Sequence, residues 1–392
     1  MESEEFLAPL SHDQFNEGRA YPENTLGALV KAHTTQTGFP VLKKVHLALV
    51  GVEEDRRSGT NKGCAQAPDR VREHLYRLYK GNYQVRLADL GNIKAGATVE
   101  DTDFALRKVI HALLKKQVVP IVIGGSNELC FANYLAYEQI ESTINVVSVD
   151  SRIDLAGPDS DFDAQSWLGR IILHQPNHLF NYSALGYQTY LVNPAHLEMM
   201  NKLFFDTHRL GQVRAGIEEA EPVIRNADMI AFDMSAVRQT DAPGCASASP
   251  NGFYGEEACQ LMRYAGMSDK LSSIGIYEIN PALDRSGQTA HLAAQMIWCF
   301  IDGFYNRKKD YPFRKTTDYT KYHVSIKDLE SKIVFYKSKK SDRWWMEVPY
   351  PSDKRLKFER HLLVPCSYST YQTALEEEMP DQWWQTYQKL SF

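Results

Sequence analysis

VVPIVIGGSNE, residues 118–128, is an apolar, β-branched run followed directly by two glycines, a serine and an asparagine. A continuous apolar run of this kind is typical of a strand buried on both faces of a parallel sheet. Gly-Gly-Ser suits the turn from a strand into a helix, with the serine in the N-cap position. The segment therefore predicts one strand–turn–helix unit of an α/β protein.

The same alternation of strand and helix extends in both directions from this unit. Further apolar runs predict strands at residues 45–52, 84–90, 144–150, 186–192, 229–234 and 273–279. Amphipathic segments between them predict helices at residues 67–78, 99–116, 128–138, 211–226, 255–265 and 288–305. Strands that alternate with helices form a mainly parallel central sheet, whose functional site lies at the carboxyl ends of its strands.

The composition excludes several classes of protein. The chain has 392 residues, of which 43% are hydrophobic and 24% charged, which excludes a disordered chain, a collagen and a coiled coil. No apolar stretch approaches the ~20 residues of a membrane span, and no signal peptide is visible, so we expect a cytoplasmic protein. The formal charge of −5 argues against a general polyanion binder. The six scattered cysteines are expected to be buried free thiols.

Near residue 307 the composition changes. Residues 307–340 hold eleven Lys or Arg against four Asp or Glu, and four of the six tryptophans follow them. We therefore divide the chain into an N-terminal segment (1–44), an α/β domain (45–310) and a β-rich C-terminal extension with a terminal helix (311–392). A basic, aromatic module could bind nucleic acid or an acidic partner. We favour a solvated Lys/Arg face, packed onto the main domain through Trp344, Trp345, Trp383 and Trp384.

Aspartates follow two of the predicted strands. Asp150 is the last residue of the strand predicted at 144–150, Asp154 follows four residues later, and Asp233 lies near the end of the strand predicted at 229–234. Because the carboxyl ends of parallel strands meet at one edge of the sheet, we expect the three carboxylates to converge there. Converging carboxylates suggest a site for a hard or borderline cation such as Mg²⁺ or Mn²⁺.

The spacing after Asp233 carries a resemblance to a known family. Asp233-Met234-Ser235 is followed by Gln239, by Pro243-Gly244 and by Gly252. This pattern is similar to a signature of the arginase, agmatinase and formimidoylglutamase superfamily (ureohydrolases), and most of all to its formimidoylglutamase-like branch. Two other family signatures align with residues 124–127 and 150–154. The resemblance covers about residues 45–305 and implies a three-layer arginase-like α/β fold with a small C-terminal extension.

The resemblance also implies a degenerate metal site. In the family, two histidines and four aspartates hold two Mn ions that share a hydroxide. This chain keeps three of the aspartates, Asp150, Asp154 and Asp233. The other three ligand positions carry Asn127, Arg152 and Ser235. A guanidinium cannot bind a cation, and an amide or a hydroxyl is a weaker ligand than the residue it replaces. We therefore expect no metal cofactor, or at most one Mn.

Other positions receive roles from the same resemblance. Glu278 matches the family acid that faces the cationic group of the substrate, although it cannot drive hydrolysis alone. Trp167, Gly169, Pro243 and Gly244 are expected to line the pocket, which Trp167 fills. Arg152 is expected to act as an internal cation that forms a salt bridge with at least one of the three aspartates, because an uncompensated carboxylate cluster is costly.

The function predicted on this basis is that of a pseudoenzyme, a scaffold that binds a ligand or a protein partner. The resemblance also implies that the chain can form a homo-oligomer. No membrane contact is expected, and nucleic acid is not the expected partner. The alternative is an active hydrolase of the C–N bond of a linear amidine, with one metal at the three aspartates.

Overall fold

The computed structural model describes residues 3–11, 21–140, 143–156, 161–312, 316–326, 332–349 and 359–391. Its largest element is a parallel sheet built of β1 (Lys31–Ala32), β2 (Leu47–Glu53), β3 (Leu87–Lys94), β4 (Val119–Ile123), β5 (Ile144–Val149), β6 (Leu179–Tyr187), β7 (Asp206–Arg209), β8 (Met229–Asp233) and β9 (Ser273–Tyr277). The order across the sheet is β1-β3-β2-β4-β9-β8-β5-β6-β7. Five neighbouring strands, β2, β4, β9, β8 and β5, form the centre of this sheet. Every residue of these strands is buried except Glu53, the last residue of β2.

Helices connect these strands and cover the sheet. They are α1 (Leu26–Leu29), α2 (Ala67–Leu75), α3 (Val99–Lys115), α4 (Leu129–Leu135), α5 (Trp167–Leu173), α6 (Pro194–Lys202), α7 (Leu210–Ala215), α8 (Ala220–Arg225), α9 (Gly255–Met267) and α10 (Gln288–Tyr305). The start of α3 is fixed by a capping box, in which Thr98 and Asp101 satisfy each other's backbone N–H groups.

Alternate residues of the central strands pack on opposite faces of the sheet. In β2, Leu47 and Leu49 join the apolar core that includes α2, α9 and α10. Ala48 and Val50 join a second core that includes α3 and α4. Period-two alternation between two apolar layers explains why the strand sequence is continuously hydrophobic. The predicted three-layer α/β fold with a parallel sheet is thereby confirmed.

One predicted strand was misplaced. The strand expected at 186–192 lies instead at Leu179–Tyr187, and residues 189–191 form a 3₁₀ turn. The true strand contains Asn181 and Ser183, whose side chains both donate to Asp206 of the edge strand β7, over 2.7 and 2.8 Å. Because these polar groups are satisfied across the strand pair, the strand is buried without being apolar.

A second, antiparallel sheet follows the main domain. It contains β10 (Tyr319–Val324), β11 (Ile333–Ser338), β12 (Trp344–Glu347) and β13 (Leu363–Cys366), and is followed by α11 (Tyr368–Leu375) and α12 (Asp381–Ser391). This agrees with the predicted small C-terminal extension. The division of the chain at residues 44 and 310 stays a prediction.

Arg225 at the end of α8 joins the second sheet to the main domain. Its guanidinium lies 4.3 Å from the centre of the Trp345 ring and donates to the carbonyls of Trp344 and Cys366. Trp345 and Trp383 are buried, whereas Trp384 is 46% exposed. The tryptophans are therefore not equivalent, and Trp345 carries the contact with Arg225. Within the described part of the chain, no helix combines the length and the apolarity needed to span a membrane.

Candidate functional site

Four neighbouring strands bring the predicted site residues to one edge of the sheet. Asn127 follows β4, Glu278 follows β9, Asp233 ends β8 and Asp150 follows β5. These strands are consecutive in the sheet order, so sequence positions as far apart as 127 and 278 become neighbours. Asp154 joins them from the loop after β5.

The three aspartates form one buried cluster. Ligand oxygens of Asp150, Asp154 and Asp233 all lie within 4.8 Å of one another. The residues are only 3%, 4% and 7% exposed, so water screens their charges little.

Asp154 receives two N–H donors on the same oxygen. Asn127 Nδ2 lies 2.9 Å and Trp167 Nε1 lies 2.8 Å from Asp154 Oδ2. The other end of the Asn127 amide, Oδ1, accepts from Cys130 Sγ at 3.1 Å. The amide therefore turns its nitrogen, which cannot ligate a cation, towards the aspartates. Trp167 is fully buried at the start of α5 and lies at the site.

Ser235, at the third of the substituted ligand positions, forms hydrogen bonds with Asp150 and Asp233. Ser235 Oγ donates to Asp150 Oδ1 over 3.2 Å, and its backbone N–H donates to Asp233 Oδ1 over 2.6 Å. Its hydroxyl also lies 3.0 Å from Ser151 Oγ. A short hydroxyl network thus occupies the position where the resemblance implies a fourth aspartate.

Arg152 does not form the expected salt bridge. Its backbone N–H donates to Asp150 Oδ1 over 2.9 Å, but its guanidinium Nη1 donates to Gln165 Oε1 at 3.3 Å. Among the residues that the structure describes, no carboxylate forms an ion pair with it. The physical reason is that Asp150 is satisfied by the Arg152 backbone, and Asp154 by the two N–H donors.

Glu278 is held by amide groups beside the cluster. Its Oε1 accepts from the backbone N–H of Asn127 over 2.7 Å, and its Oε2 accepts from Asn61 Nδ2 over 2.6 Å. Its backbone has a φ of +66°, which is unusual for a residue with a side chain. Asn61 was not among the predicted site residues, and nothing in the motif spacing singles it out.

The three remaining predicted pocket residues shape the loops around the cluster. Gly169 lies in α5, where an added Cβ would lie 2.9 Å from the carbonyl oxygen of Ala156. Gly244 donates to Thr289 Oγ1 and accepts from the backbone N–H of Asn280, both over 2.7 Å. Pro243 precedes it and is half-buried. Close packing therefore fixes the backbone at Gly169 and Gly244, and the place of all three residues in the wall of a pocket stays a prediction.

Burial makes the acidic groups of the site hard to ionise. It raises the pKa of Asp154 and Asp233 well above the ordinary value, and the charge of Asp150 raises both further. The pKa of Asp150 is also raised by burial, against hydrogen bonds from Arg152, Asp154 and Ser235 that lower it. Burial raises the pKa of Glu278 to about 7 and that of Glu128, the residue after Asn127, to about 8.

The donor set fits one divalent cation and does not fit two. Three carboxylates whose oxygens lie within 4.8 Å are suitable ligands for one such ion. A second ion would need ligands at the positions of Asn127 and Arg152. The first presents an amide nitrogen and the second a guanidinium that binds Gln165, and neither group is a metal ligand.

Comparisons with known proteins agree with the resemblance. A model of the arginase family matches residues 45–302. Formimidoylglutamase of Bacillus subtilis is 26% identical over 279 residues, which cover 65% of this chain and 86% of that protein. Formimidoylglutamase of Geobacillus thermodenitrificans is 30% identical over 258 residues, covering 61% of this chain and 77% of that protein.

Solved structures share the fold. Trypanosoma cruzi formiminoglutamase with Mn²⁺ superposes with a TM-score of 0.66 at 21% identity, covering 72% of this chain and 99% of that one. Bacillus subtilis formimidoylglutamase superposes with a TM-score of 0.66 at 22% identity, covering 76% of this chain and 99% of that one. The match to the family model ends at residue 302, so the antiparallel sheet lies outside it.

Proposed function

This chain belongs to the arginase family, in its formimidoylglutamase-like branch, and we propose that it has lost the hydrolysis that the family carries out at a binuclear manganese centre. We propose further that it acts as a pseudoenzyme, a scaffold that binds a ligand or a protein partner. In this proposal it carries no metal, or at most one Mn.

The observation that carries the proposal is the pair of N–H donors on Asp154. Asn127 Nδ2 and Trp167 Nε1 both point at Asp154 Oδ2, at 2.9 and 2.8 Å. Hydrogen bonds of this kind satisfy a buried carboxyl group without a cation. A metal on the same oxygen would have to displace at least one of them, and Trp167 is fully buried with little room to move.

The loss of hydrolysis follows from the chemistry of the donors. In the family, the attacking hydroxide bridges two ions, which lower the pKa of the bound water. Three of the six ligand positions here carry groups that bind cations weakly or not at all. Glu278 matches the family acid that faces the cationic group of the substrate, but one carboxyl group without two metal ions is not expected to drive hydrolysis alone.

Metal content and turnover test the proposal together. The full chain is incubated with Mn²⁺ and desalted, the bound metal is measured, and formamide release from N-formimidoylglutamate is assayed. We expect at most one Mn per chain and no release. About two Mn per chain with formamide release would contradict the proposal.

A repaired variant separates the metal ligands from the pocket. Asn127→His, Arg152→His and Ser235→Asp together restore the family ligand set. We expect this variant to bind Mn with little or no turnover, because in this proposal the buried Trp167 occupies the space that the substrate would need. The matched control, Asn251→His with Arg285→His, places two histidines at exposed positions and should bind no additional Mn. Substantial turnover by the triple variant would show that the pocket is intact.

One observation favours a second candidate, a hydrolase that uses a single metal. The three aspartates lie close enough to hold one ion, and Glu278 lies beside them. One Mn per chain with formamide release, lost in Asp154→Asn, would favour this candidate over the pseudoenzyme.

Contacts in the C-terminal extension argue against nucleic acid as the partner. Two of its lysines are already paired with acids, Lys337 with Asp342 at 2.9 Å and Lys340 with Asp318 at 2.7 Å. Paired, solvated lysines are typical of an ordinary surface. Weak or absent binding of DNA and RNA at ~0.05 M salt is expected. Self-association stays part of the proposal and is tested by sedimentation of the full chain.

A further inference from the structure

A cavity lies at the amino ends of the central strands, at the opposite end of these strands from the aspartates. It has a volume of about 900 Å³, within the range of small-molecule sites. Its wall includes His46, which precedes β2, Val119, which begins β4, and Ser272, which precedes β9. The aspartates lie at the carboxyl ends of their strands and the cavity lies at the amino ends, so the two sites are separate.

The cavity is formed jointly by the main domain and the C-terminal extension. Tyr311 and Arg360 line it from the extension, and residues that precede β4 and β9 line it from the main domain. The Tyr311 hydroxyl donates to the carbonyl of Arg360 over 3.2 Å, which ties two parts of this wall together. Residues from both parts of the chain therefore define one concave site.

Positive charge exceeds negative charge on the wall of this cavity. Four cationic side chains line it together with one carboxylate, Asp269; the cations are Lys270, Arg307, Lys309 and Arg360. Asp228 adds one further carboxylate, which pairs with both Arg360 and Lys270, the latter over 3.5 Å. Two cationic groups therefore remain in excess of the nearby acids.

In the part of the chain that the structure describes, Arg307 and Lys309 form no ion pair of the kind that joins Arg360 and Lys270 to Asp228, although the charge of Asp269 acts on Arg307. The Arg307 guanidinium donates to the backbone carbonyls of Gly266 and Leu271 over 2.9 and 3.1 Å, and carbonyls do not neutralise it. Lys309 is exposed at the cavity. Among the residues with described positions, neither side chain forms an ion pair with a carboxylate.

Aromatic rings lie next to these cations. Phe304 and Tyr305 line the cavity, and the Arg307 guanidinium lies 4.2 Å from the centre of the Phe304 ring. The Tyr305 ring is held by stacking on Tyr83 at 4.7 Å, and its hydroxyl accepts from the backbone N–H of Arg86 over 2.7 Å. Fixed rings beside unpaired cations suit a ligand that has both a flat apolar body and an anionic group.

We propose that this cavity binds a small organic anion, with its phosphate or carboxylate group at Arg307 and Lys309 and its aromatic body against Phe304 and Tyr305. The proposal goes beyond the pseudoenzyme function, because it does not depend on the state of the aspartates. The size of the cavity admits a molecule as large as a nucleoside monophosphate.

Calorimetric titration of the full chain tests the proposal with two probes. AMP carries a phosphate and indole-3-acetate carries a carboxylate, so the probe that binds with the higher affinity identifies the preferred anionic group. Adenosine and inorganic phosphate are titrated separately as the two halves of AMP. We expect saturable binding of at least one organic anion, and at least tenfold weaker binding of adenosine. The proposal is overturned if neither organic anion binds. It is also overturned if AMP binds and adenosine binds equally well.

A pair of neighbouring lysines provides the matched variants. Lys309→Gln removes one of the positive charges that line the cavity, and we expect it to weaken binding by about threefold to tenfold, as the loss of one typical hydrogen bond does. Lys308 is also exposed but does not line the cavity, so Lys308→Gln should change the affinity by less than twofold. Since both positions are exposed, neither variant should unfold. An affinity unchanged in Lys309→Gln, or reduced equally in both variants, would refute the assigned position of the anion.

Discussion

At the scale of single residues, the aspartate cluster is stabilised by hydrogen bonds, and burial favours the neutral form of its carboxyl groups. Asp154 accepts from Asn127 and Trp167, and Asp150 accepts from the Arg152 backbone and from Ser235. Burial raises the pKa of all three aspartates, which makes their charged forms less favourable when no cation is bound. This explains why the cluster is stable without the Arg152 salt bridge that its sequence position suggested.

The indole of Trp167 should contribute measurably to stability through Asp154. Trp167→Phe keeps an aromatic ring but removes the Nε1–H that donates to Asp154 over 2.8 Å. We expect the free energy of unfolding to fall by about 1–3 kcal/mol, as for a buried group that loses a partner. Urea denaturation measures the change. Trp384→Phe is the control, because Trp384 is 46% exposed, and equal effects of the two substitutions would contradict the role of the indole.

Glu128 should make stability depend on pH. Burial raises its pKa to about 8, so between its unfolded pKa of 4.5 and about 8 the folded chain keeps a proton that the unfolded chain has lost. Its stabilising contribution is therefore complete below pH 4.5 and is lost as the pH rises towards about 8. Because of this one proton, the free energy of unfolding falls by about 1.4 kcal/mol for each pH unit in this range.

Glu128→Gln isolates this contribution. Glutamine is neutral at every pH and can still accept through Oε1 from the Ser126 hydroxyl, which donates to Glu128 Oε1 over 2.6 Å. Between pH 5 and 7.5, the decline in unfolding free energy should therefore be less steep by about 1.4 kcal/mol per pH unit. Glu256→Gln, at an exposed position, should leave the slope unchanged. A slope identical in the wild type and in Glu128→Gln would show that Glu128 is ionised throughout.

At the scale of elements, hydrophobic patterns predicted the central strands well and the polar edge poorly. Strands β4 and β8 are covered on both faces, so their sequences are apolar and their positions can be predicted from the sequence. Strand β7 reads Asp-Thr-His-Arg and has no apolar pattern, because it lies at the edge of the sheet. The helix predicted at 211–226 is interrupted at Gly216, where the chain forms a 3₁₀ turn between α7 and α8.

The turn after β4 should tolerate no side chain at its second glycine. An added Cβ at Gly125 would lie 1.7 Å from the backbone oxygen of Glu54, and backbone atoms cannot move aside cheaply. We expect Gly125→Ala to destabilise the protein by about 3 kcal/mol or more. Gly211→Ala is the matched control: no atom lies within 4 Å of its added Cβ, and it lies in α7. Alanine there should be neutral or stabilising by up to about 1 kcal/mol. Equal melting temperatures for the two variants would refute this account of the turn.

The composition of the site was predictable and its contacts were not. Strand ends and motif spacing placed Asp150, Asp154 and Asp233 at one edge before any coordinates were known, and the structure brings them together. The direction of a side chain depends on tertiary packing, so the turn of the Asn127 amide towards Asp154 had no signature in the sequence. The same is true of Arg152, whose backbone rather than its guanidinium binds Asp150.

At the scale of the whole molecule, the C-terminal extension completes structures that the main domain cannot complete alone. Arg225 is 4% exposed and depends on the carbonyls of Trp344 and Cys366. Asp228 is 1% exposed and pairs with Arg360. The proposed anion cavity is likewise closed on one side by the extension. The α/β domain is therefore adapted to the presence of the second sheet.

Removal of residues 311–392 should for this reason yield an insoluble or strongly destabilised protein. It would leave the buried Arg225 charge without its two carbonyl acceptors and without the Trp345 ring at 4.3 Å. It would also expose the apolar surface beneath the sheet. Truncating a buried tryptophan costs about 3–5 kcal/mol, so Trp345→Ala should reproduce much of the defect in the full chain, whereas Trp384→Ala should not. Soluble yield and thermal melting measure both effects. A soluble chain of residues 1–310 that melts with the wild type would mean that Arg225 and Asp228 find other partners, and that the extension is dispensable for the fold.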